Sequence, residues 1–221
     1  MEATIIEKLQ AAGIIVALPG DLPLATIIPI ADALLASPIL AVDVAFGGAE
    51  LPQLLHDLRQ RAGDKLLIGV SGVEMPALSE AETAVSLQTL PLHQLDYLSS
   101  PRLDDALLAL CQNAGVAYLP GVISVWAAQA AAQQGCRAIR LRTGGANGPE
   151  YVRALREVQP DLALIVEAEL AAEDVSRYQQ AGAAALLVGA PLFTGPTQTM
   201  ADLITQARAF NRAWQASSIF S

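Results

Sequence analysis

The 221-residue chain holds two lysines, two cysteines and two histidines, and each shortage removes a class of chemistry. Cys111 and Cys136 stand in no metal-like spacing and read as buried free thiols, which fits a reducing cytoplasm. His56 and His93 are isolated and read as surface or packing residues. Charge is scarce as well, at 16% of residues, and the net charge of −9 with a pI near 4.6 leaves no basic stripe. Nucleic acid and anionic membrane surfaces are therefore excluded as partners. No basic segment followed by an apolar run and a cleavage site opens the sequence, so a cytoplasmic protein is expected. The most apolar window, Leu22 to Val42, is broken by Pro23, Pro29, Asp32, Ser37 and Pro38, which disfavours a membrane span. No Gly-x-Gly-x-x-Gly follows the first strand pattern, which removes the usual argument for a dinucleotide site. No cofactor and no metal is expected.

What is present is repetition of one pattern. With 53% hydrophobic residues the chain can bury one substantial core, so residues 1–221 are expected to form a single domain. Short apolar runs predict strands at Ile14–Leu18, Ile39–Phe46, Leu66–Val70, Tyr97–Ser99, Val116–Leu119, Cys136–Arg142, Leu162–Glu167 and Ala184–Val188. Between them lie helical patterns: Leu24–Leu35, Leu51–Arg61, a wandering stretch at Glu74–Gln94, Ser100–Asn113, Ser124–Gln134, Tyr151–Val158, Ala172–Gln180 and Thr197–Trp214. A further helix with a Thr4-x-x-Glu7 capping box precedes the first strand. Eight such units after an extra N-terminal helix predict an α/β fold, a closed (β/α)8 TIM barrel, with an open doubly wound sheet as the competing arrangement. Most strand patterns end in a turn pair, such as Pro19-Gly20, Gly47-Gly48, Ser71-Gly72, Pro120-Gly121 and Gly189-Ala190, and Ser100-Pro101 reads as a serine-capped helix start.

One strand breaks the apolar rule. In Ala138-Ile139-Arg140-Leu141-Arg142, the two arginines share the face opposite Ile139 and Leu141. If helices cover the apolar face, Arg140 and Arg142 point inward, where an unpaired charge costs several kcal/mol and demands carboxylates. Asp43 lies between Val42 and Val44 on one strand, and Glu167 and Glu169 share a face at the end of another. These acids and arginines are expected at one barrel mouth. A metal held by Asp43, Glu167 and Glu169 is the weaker use of the acids, because the arginines would compete with any cation.

Pro120-Gly121-Val122-Ile123-Ser124, followed in ungapped register by Arg140-Leu141-Arg142-Thr143-Gly144-Gly145-Ala146-Asn147-Gly148, resembles the 2-keto-3-deoxy-6-phosphogluconate / 4-hydroxy-2-oxoglutarate aldolase family. The likeness runs from the N-terminal helix through Asp43 to Gly189. It implies a lyase on a small oxo acid, with a Schiff-base lysine in strand six, and Arg140 stands at that position. It further implies that Asp43 replaces the acid/base glutamate of strand two, and that Gly47 and Gly48 stand for an arginine and a threonine beyond it. Gly69-Val70-Ser71-Gly72 matches a Gly-x-Gly-Thr pattern without its threonine, Ser100-Pro101 keeps the family's Ser-Pro, and Ala127 replaces a glutamate. Ala168-Glu169 stands where a phosphate-holding glycine pair is expected, which leaves Gly189-Ala190 as half of a phosphate cradle.

The residues therefore imply a divergent member with Schiff-base chemistry lost. Asp43 and Arg140 are the expected catalytic pair; Ser71, Pro101, Arg142, Glu167, Glu169, Gly189 and Ala190 are the expected substrate contacts. Two functions stand beside each other: a lyase or isomerase on a small oxo or hydroxy acid, or a non-catalytic member that binds a small anion or serves assembly. Family resemblance also implies a homo-oligomer, a trimer.

Overall fold

An apolar strand can bury both faces only in a parallel sheet covered by helices, and the sequence has enough helices to cover every strand. The computed structural model describes residues 2–18, 23–47, 50–74, 90–142, 148–193 and 198–218 of the chain. Its strands are β1 (Ile14–Leu18), β2 (Ala41–Ala45), β3 (Leu67–Ser71), β4 (Tyr97–Ser100), β5 (Ala117–Val122), β6 (Ala138–Arg142), β7 (Ala163–Glu167) and β8 (Ala185–Val188). They pair in parallel in sequence order, and β8 closes on β1 through Ile14 beside Leu186. The described helices are α1 (Glu2–Ala12), α2 (Leu24–Leu35), α3 (Leu51–Ala62), α4 (Asp105–Ala114), α5 (Val125–Gln133), α6 (Pro149–Val158), α7 (Val175–Gln180) and α8 (Met200–Ser218). This is a (β/α)8 TIM barrel with an additional N-terminal helix. None of the described helices is long and apolar enough to cross a membrane.

Strand alternation divides the core in two. Outward residues such as Val42, Val44, Leu98, Ile139, Leu141 and Val166 pack with the helices. Inward residues such as Ile15, Leu67, Tyr97, Leu119 and Leu187 form a second cluster with Ile5, Ile6, Leu9 and Ala12 of α1. Helix α1 thus stoppers the N-terminal end of the barrel and leaves the other end to carry a site.

The interior is unusually small-sided. Ala41, Ala117, Ala138, Ala163 and Ala185 point inward, where bulky branched residues usually dominate. The space is taken by Tyr97, whose ring lies so close to Gly69 that a Cβ there would sit 2.0 Å from it. The Tyr97 hydroxyl donates to the Val42 carbonyl at 2.8 Å, so the ring reaches over β3 from β4 to β2.

Four local expectations differ from the structure. Helix α1 starts at Glu2, before Thr4, so Thr4 lies inside the helix rather than capping it. Ser100 ends β4 instead of capping a helix: its hydroxyl donates to the Arg102 carbonyl at 2.5 Å and pairs with the Tyr118 hydroxyl at 2.6 Å. The cap falls to Asp104, whose carboxylate accepts from the Ala106 and Leu107 amides at 2.9 and 3.0 Å, a stronger partner for the positive helix end. Pro120-Gly121 lies within β5, and Gly121 is needed there because a Cβ would meet the Pro101 carbonyl oxygen at 2.5 Å. After β8, Gly189 leads only into the short 3-10 turn Ala190–Leu192, and the next α-helix starts at Met200. The expected Pro19-Gly20 turn, Gly48, the helical pattern between 75 and 89, and the turn at 143–147 lie outside the described residues.

Candidate functional site at the barrel mouth

The site begins with the alternation of β6. Ile139 and Leu141 go to the outer core, which forces Arg140 into the barrel and sets Arg142 at its rim. The register then supplies the partners. Arg142 lies beside Glu167 on β7, and Asp43 lies beside Gly69 on β3, the residue that yields its space to Tyr97.

The guanidinium of Arg140 lies between two acids. Its Nη1 is 3.6 Å from Asp43 Oδ1 and its Nε donates to Glu167 Oε2 at 3.0 Å. The same Glu167 oxygen is 3.3 Å from Arg142 Nε, so one carboxylate joins both arginines. Exposure grades outward along this chain of charges: the side chains are 2% exposed at Asp43, 14% at Arg140, 30% at Glu167 and 60% at Arg142.

Burial pushes the Asp43 carboxyl above its ordinary pKa; Arg140 and the Ser71 and Tyr97 hydroxyls pull it back only in part, and Glu167 adds to the rise. Burial acts against the charge on Arg140 too, but Asp43 and Glu167 outweigh it and hold the guanidinium more firmly protonated than usual. Burial raises the Tyr97 phenol well above its ordinary value, with the Asp43 charge adding to the shift.

Above this group opens a cavity of about 190 Å³. Drug-sized ligands occupy pockets of roughly 300–1,000 Å³, so this one suits a molecule of a few heavy atoms. Ser71, Gly72, Ser99, Pro101, Gly121, Arg140, Arg142 and Glu167 are among its walls. Glu169 lies exposed beyond β7 and outside this lining, as do Gly189 and Ala190 beyond β8. Among the described residues no group of three or more His, Cys, Asp or Glu is placed to hold a metal ion. Both lysines are elsewhere: Lys8 is exposed on α1 and Lys65 ends the 3-10 turn before β3. Sequence reasoning missed Tyr97 and Ser99, although the inward alternation of β4 carries both.

No family model matches the chain. It is 26% identical over 192 residues to 2-dehydro-3-deoxy-6-phosphogalactonate aldolase of Escherichia coli (strain K12), over 83% of this chain and 89% of that protein. Solved structures with the same fold include the native structure designated KDPGal, with a TM-score of 0.80 at 22% identity over 93% of this chain and 96% of that one. The 2-keto-3-deoxy-6-phosphogluconate aldolase of Zymomonas mobilis ZM4 matches with a TM-score of 0.73 at 14% identity, over 98% and 99% of the two chains. A cube-shaped cage designed by fusing symmetric oligomeric domains matches at 0.81 and 22%, over 94% and 74%.

Within this barrel the Arg140 pairs are testable through stability. Removing the guanidinium by Arg140→Met leaves Asp43 buried without its cation, a change that costs about 3–5 kcal/mol. The sign of the pH dependence follows from the raised Asp43 pKa. The folded state binds the proton more readily than the unfolded chain, whose carboxyl titrates near 3.8. Stability from this group is therefore present below that value and lost as pH rises through the folded pKa. Arg140→Met steepens the loss, so urea unfolding between pH 4 and 8 is expected to show the variant approaching wild-type stability at the acid end.

Proposed function

We propose that the barrel mouth binds a short oxo or hydroxy acid and moves a proton on it without forming a Schiff base. The observation that carries this reading is Arg140, a buried cation held between Asp43 and Glu167 where the family resemblance implies a lysine. A guanidinium stays protonated and cannot attack a carbonyl. It can still stabilise the negative charge that develops on a carbonyl oxygen when the neighbouring carbon loses a proton. Arg142, the more exposed cation, holds the carboxylate of the acid, and Ser71 and Pro101 shape the walls. Asp43 is the proton-transfer group, since its raised pKa brings it toward the range where a carboxyl both takes and returns a proton. Glu167 orients both arginines. Glu169, Gly189 and Ala190, beyond β7 and β8 and outside the cavity lining, would meet only a part of the acid that extends past the mouth, and Glu169 would repel a phosphate there.

A second reading has its own observation. Glu167 Oε2 already contacts Arg140 and Arg142, so both cations are partnered within the protein and the cluster can serve as a structural plug in a member without catalysis. Incubation with pyruvate in D2O separates the readings. Proton transfer at Asp43 predicts exchange of the pyruvate methyl protons, seen by proton NMR and lost in Asp43→Asn; no exchange favours the plug. In the same sample, borohydride is expected to leave no pyruvyl adduct by mass spectrometry. A stoichiometric adduct on either lysine contradicts the loss of Schiff-base chemistry.

Self-association as a trimer belongs to the same proposal. Ile123 and Trp126 are 71% and 82% exposed at the start of α5, an apolar surface that a second copy would cover. Sedimentation at micromolar concentration is expected to give three times the 23.1 kDa chain mass, and a monomer removes the proposal.

A further inference from the structure

Asp43 is too deep to meet a ligand by itself. Its side chain is 2% exposed and is absent from the lining of the mouth cavity. A proton moving between that carboxyl and a bound acid therefore needs a group that touches both. The carboxyl interacts with Arg140 from β6, with the hydroxyls of Ser71 from β3 and Tyr97 from β4, and with the charge of Glu167 from β7. Arg140 lines the cavity, but a guanidinium stays protonated and accepts nothing from a ligand. The Tyr97 hydroxyl is committed to the Val42 carbonyl and lies outside the lining. Glu167 lines the cavity with its Oε2 engaged by both arginines.

Ser71 meets both conditions. Val70 goes to the outer core, which turns Ser71 inward. The register sets Asp43 beside Gly69 and Ala45 beside Ser71, so Ser71 is the next inward residue toward the mouth on the adjoining strand. It is 8% exposed, it lines the cavity, and its hydroxyl interacts with the Asp43 carboxyl. A hydroxyl accepts one hydrogen bond while it donates another, which neither a guanidinium nor a carboxylate does. The Gly-x-Gly-Thr pattern of the family has glycine at this position, so the hydroxyl is a feature of this chain.

We infer that the Ser71 hydroxyl carries the proton between the bound acid and Asp43. As the C–H bond beside the carbonyl breaks, its proton goes to Ser71 Oγ and the proton of Ser71 goes to the Asp43 carboxylate. The C–H electron pair becomes the C=C bond of an enolate, whose oxygen charge Arg140 stabilises. Nothing is oxidised or reduced, and the reverse path returns a proton to carbon. Asp43 thus works without leaving its place beside Arg140, and the cavity face of Ser71 gives the proton a route to solvent.

This inference rests on the proposal that the mouth moves a proton on a short oxo acid, and pyruvate in D2O tests the two separately. In Ser71→Ala, methyl exchange at saturating pyruvate is expected to fall about 100-fold or more, to the level of Asp43→Asn, because a positioned proton-transfer group contributes roughly 10²–10⁴. Pyruvate affinity, read by calorimetry, is expected to stay within about threefold of wild type. Ser71→Thr keeps a hydroxyl and is expected to exchange within about tenfold of wild type. Ser71→Ala combined with Asp43→Asn is expected to be no slower than either change alone, since the two residues form one path. Wild-type exchange in Ser71→Ala, or Ser71→Thr as slow as Ser71→Ala, overturns the relay while proton transfer at Asp43 stands. A loss of exchange matched by an equal loss of pyruvate affinity overturns it as well, by showing that the hydroxyl only binds. Wild-type protein that exchanges no faster than Asp43→Asn overturns both the relay and the proton-transfer reading.

Discussion

The guanidinium of Arg140 is a full charge inside a barrel, and the structure around it follows from that constraint. A cation of this kind needs compensating charge within a few ångströms and hydrogen-bond acceptors of suitable geometry. Asp43 and Glu167 meet the first need from β2 and β7, and Glu167 meets the second with a 3.0 Å bond. These carboxylates approach from different sides because the barrel is closed, with β2 and β6 facing one another across it. An open sheet would give Arg140 only its neighbours on β5 and β7.

Room for the cluster comes from what the interior omits. Alanines on β2, β5, β6, β7 and β8, with glycine at 69, leave volume that Tyr97 and Arg140 fill. The apolar weight of the fold is carried elsewhere, in the outer layer between strands and helices and in the α1 stopper at the closed end. Stability and the site are therefore separated along the barrel axis, which lets the mouth hold charges and unsatisfied atoms without threatening the fold.

The fold was legible because its two signals are local. Period-two alternation and glycine or proline punctuation gave every strand to within a few residues, with Pro120-Gly121 the clearest slip, since that pair belongs to β5. The inward turn of Arg140 was also legible, because Ile139 and Leu141 leave no other face for it. The division of labour between the two glutamates was less so. Glu167 and Glu169 share a face by sequence, but β7 ends at Glu167 and the chain then leaves the sheet, so only Glu167 reaches the arginines. Asp104 as the cap of α4 and Ser100 as a partner of Tyr118 depended on contacts across strands that no local pattern encodes. Ser99 escaped notice for a different reason: a lone serine in an apolar strand carries no signal until the structure shows that its hydroxyl is unpaired.

The account stands or falls on whether Arg140 and Asp43 act as one buried pair. A double-mutant cycle with Asp43→Asn and Arg140→Met, read by urea unfolding at neutral pH, measures this directly. Removing the charge at 43 is expected to cost much less once the guanidinium is gone, with a coupling of about 1–3 kcal/mol. Additivity within about 0.5 kcal/mol would show that the two residues do not interact, and would contradict the buried pair on which the reading of the mouth is built.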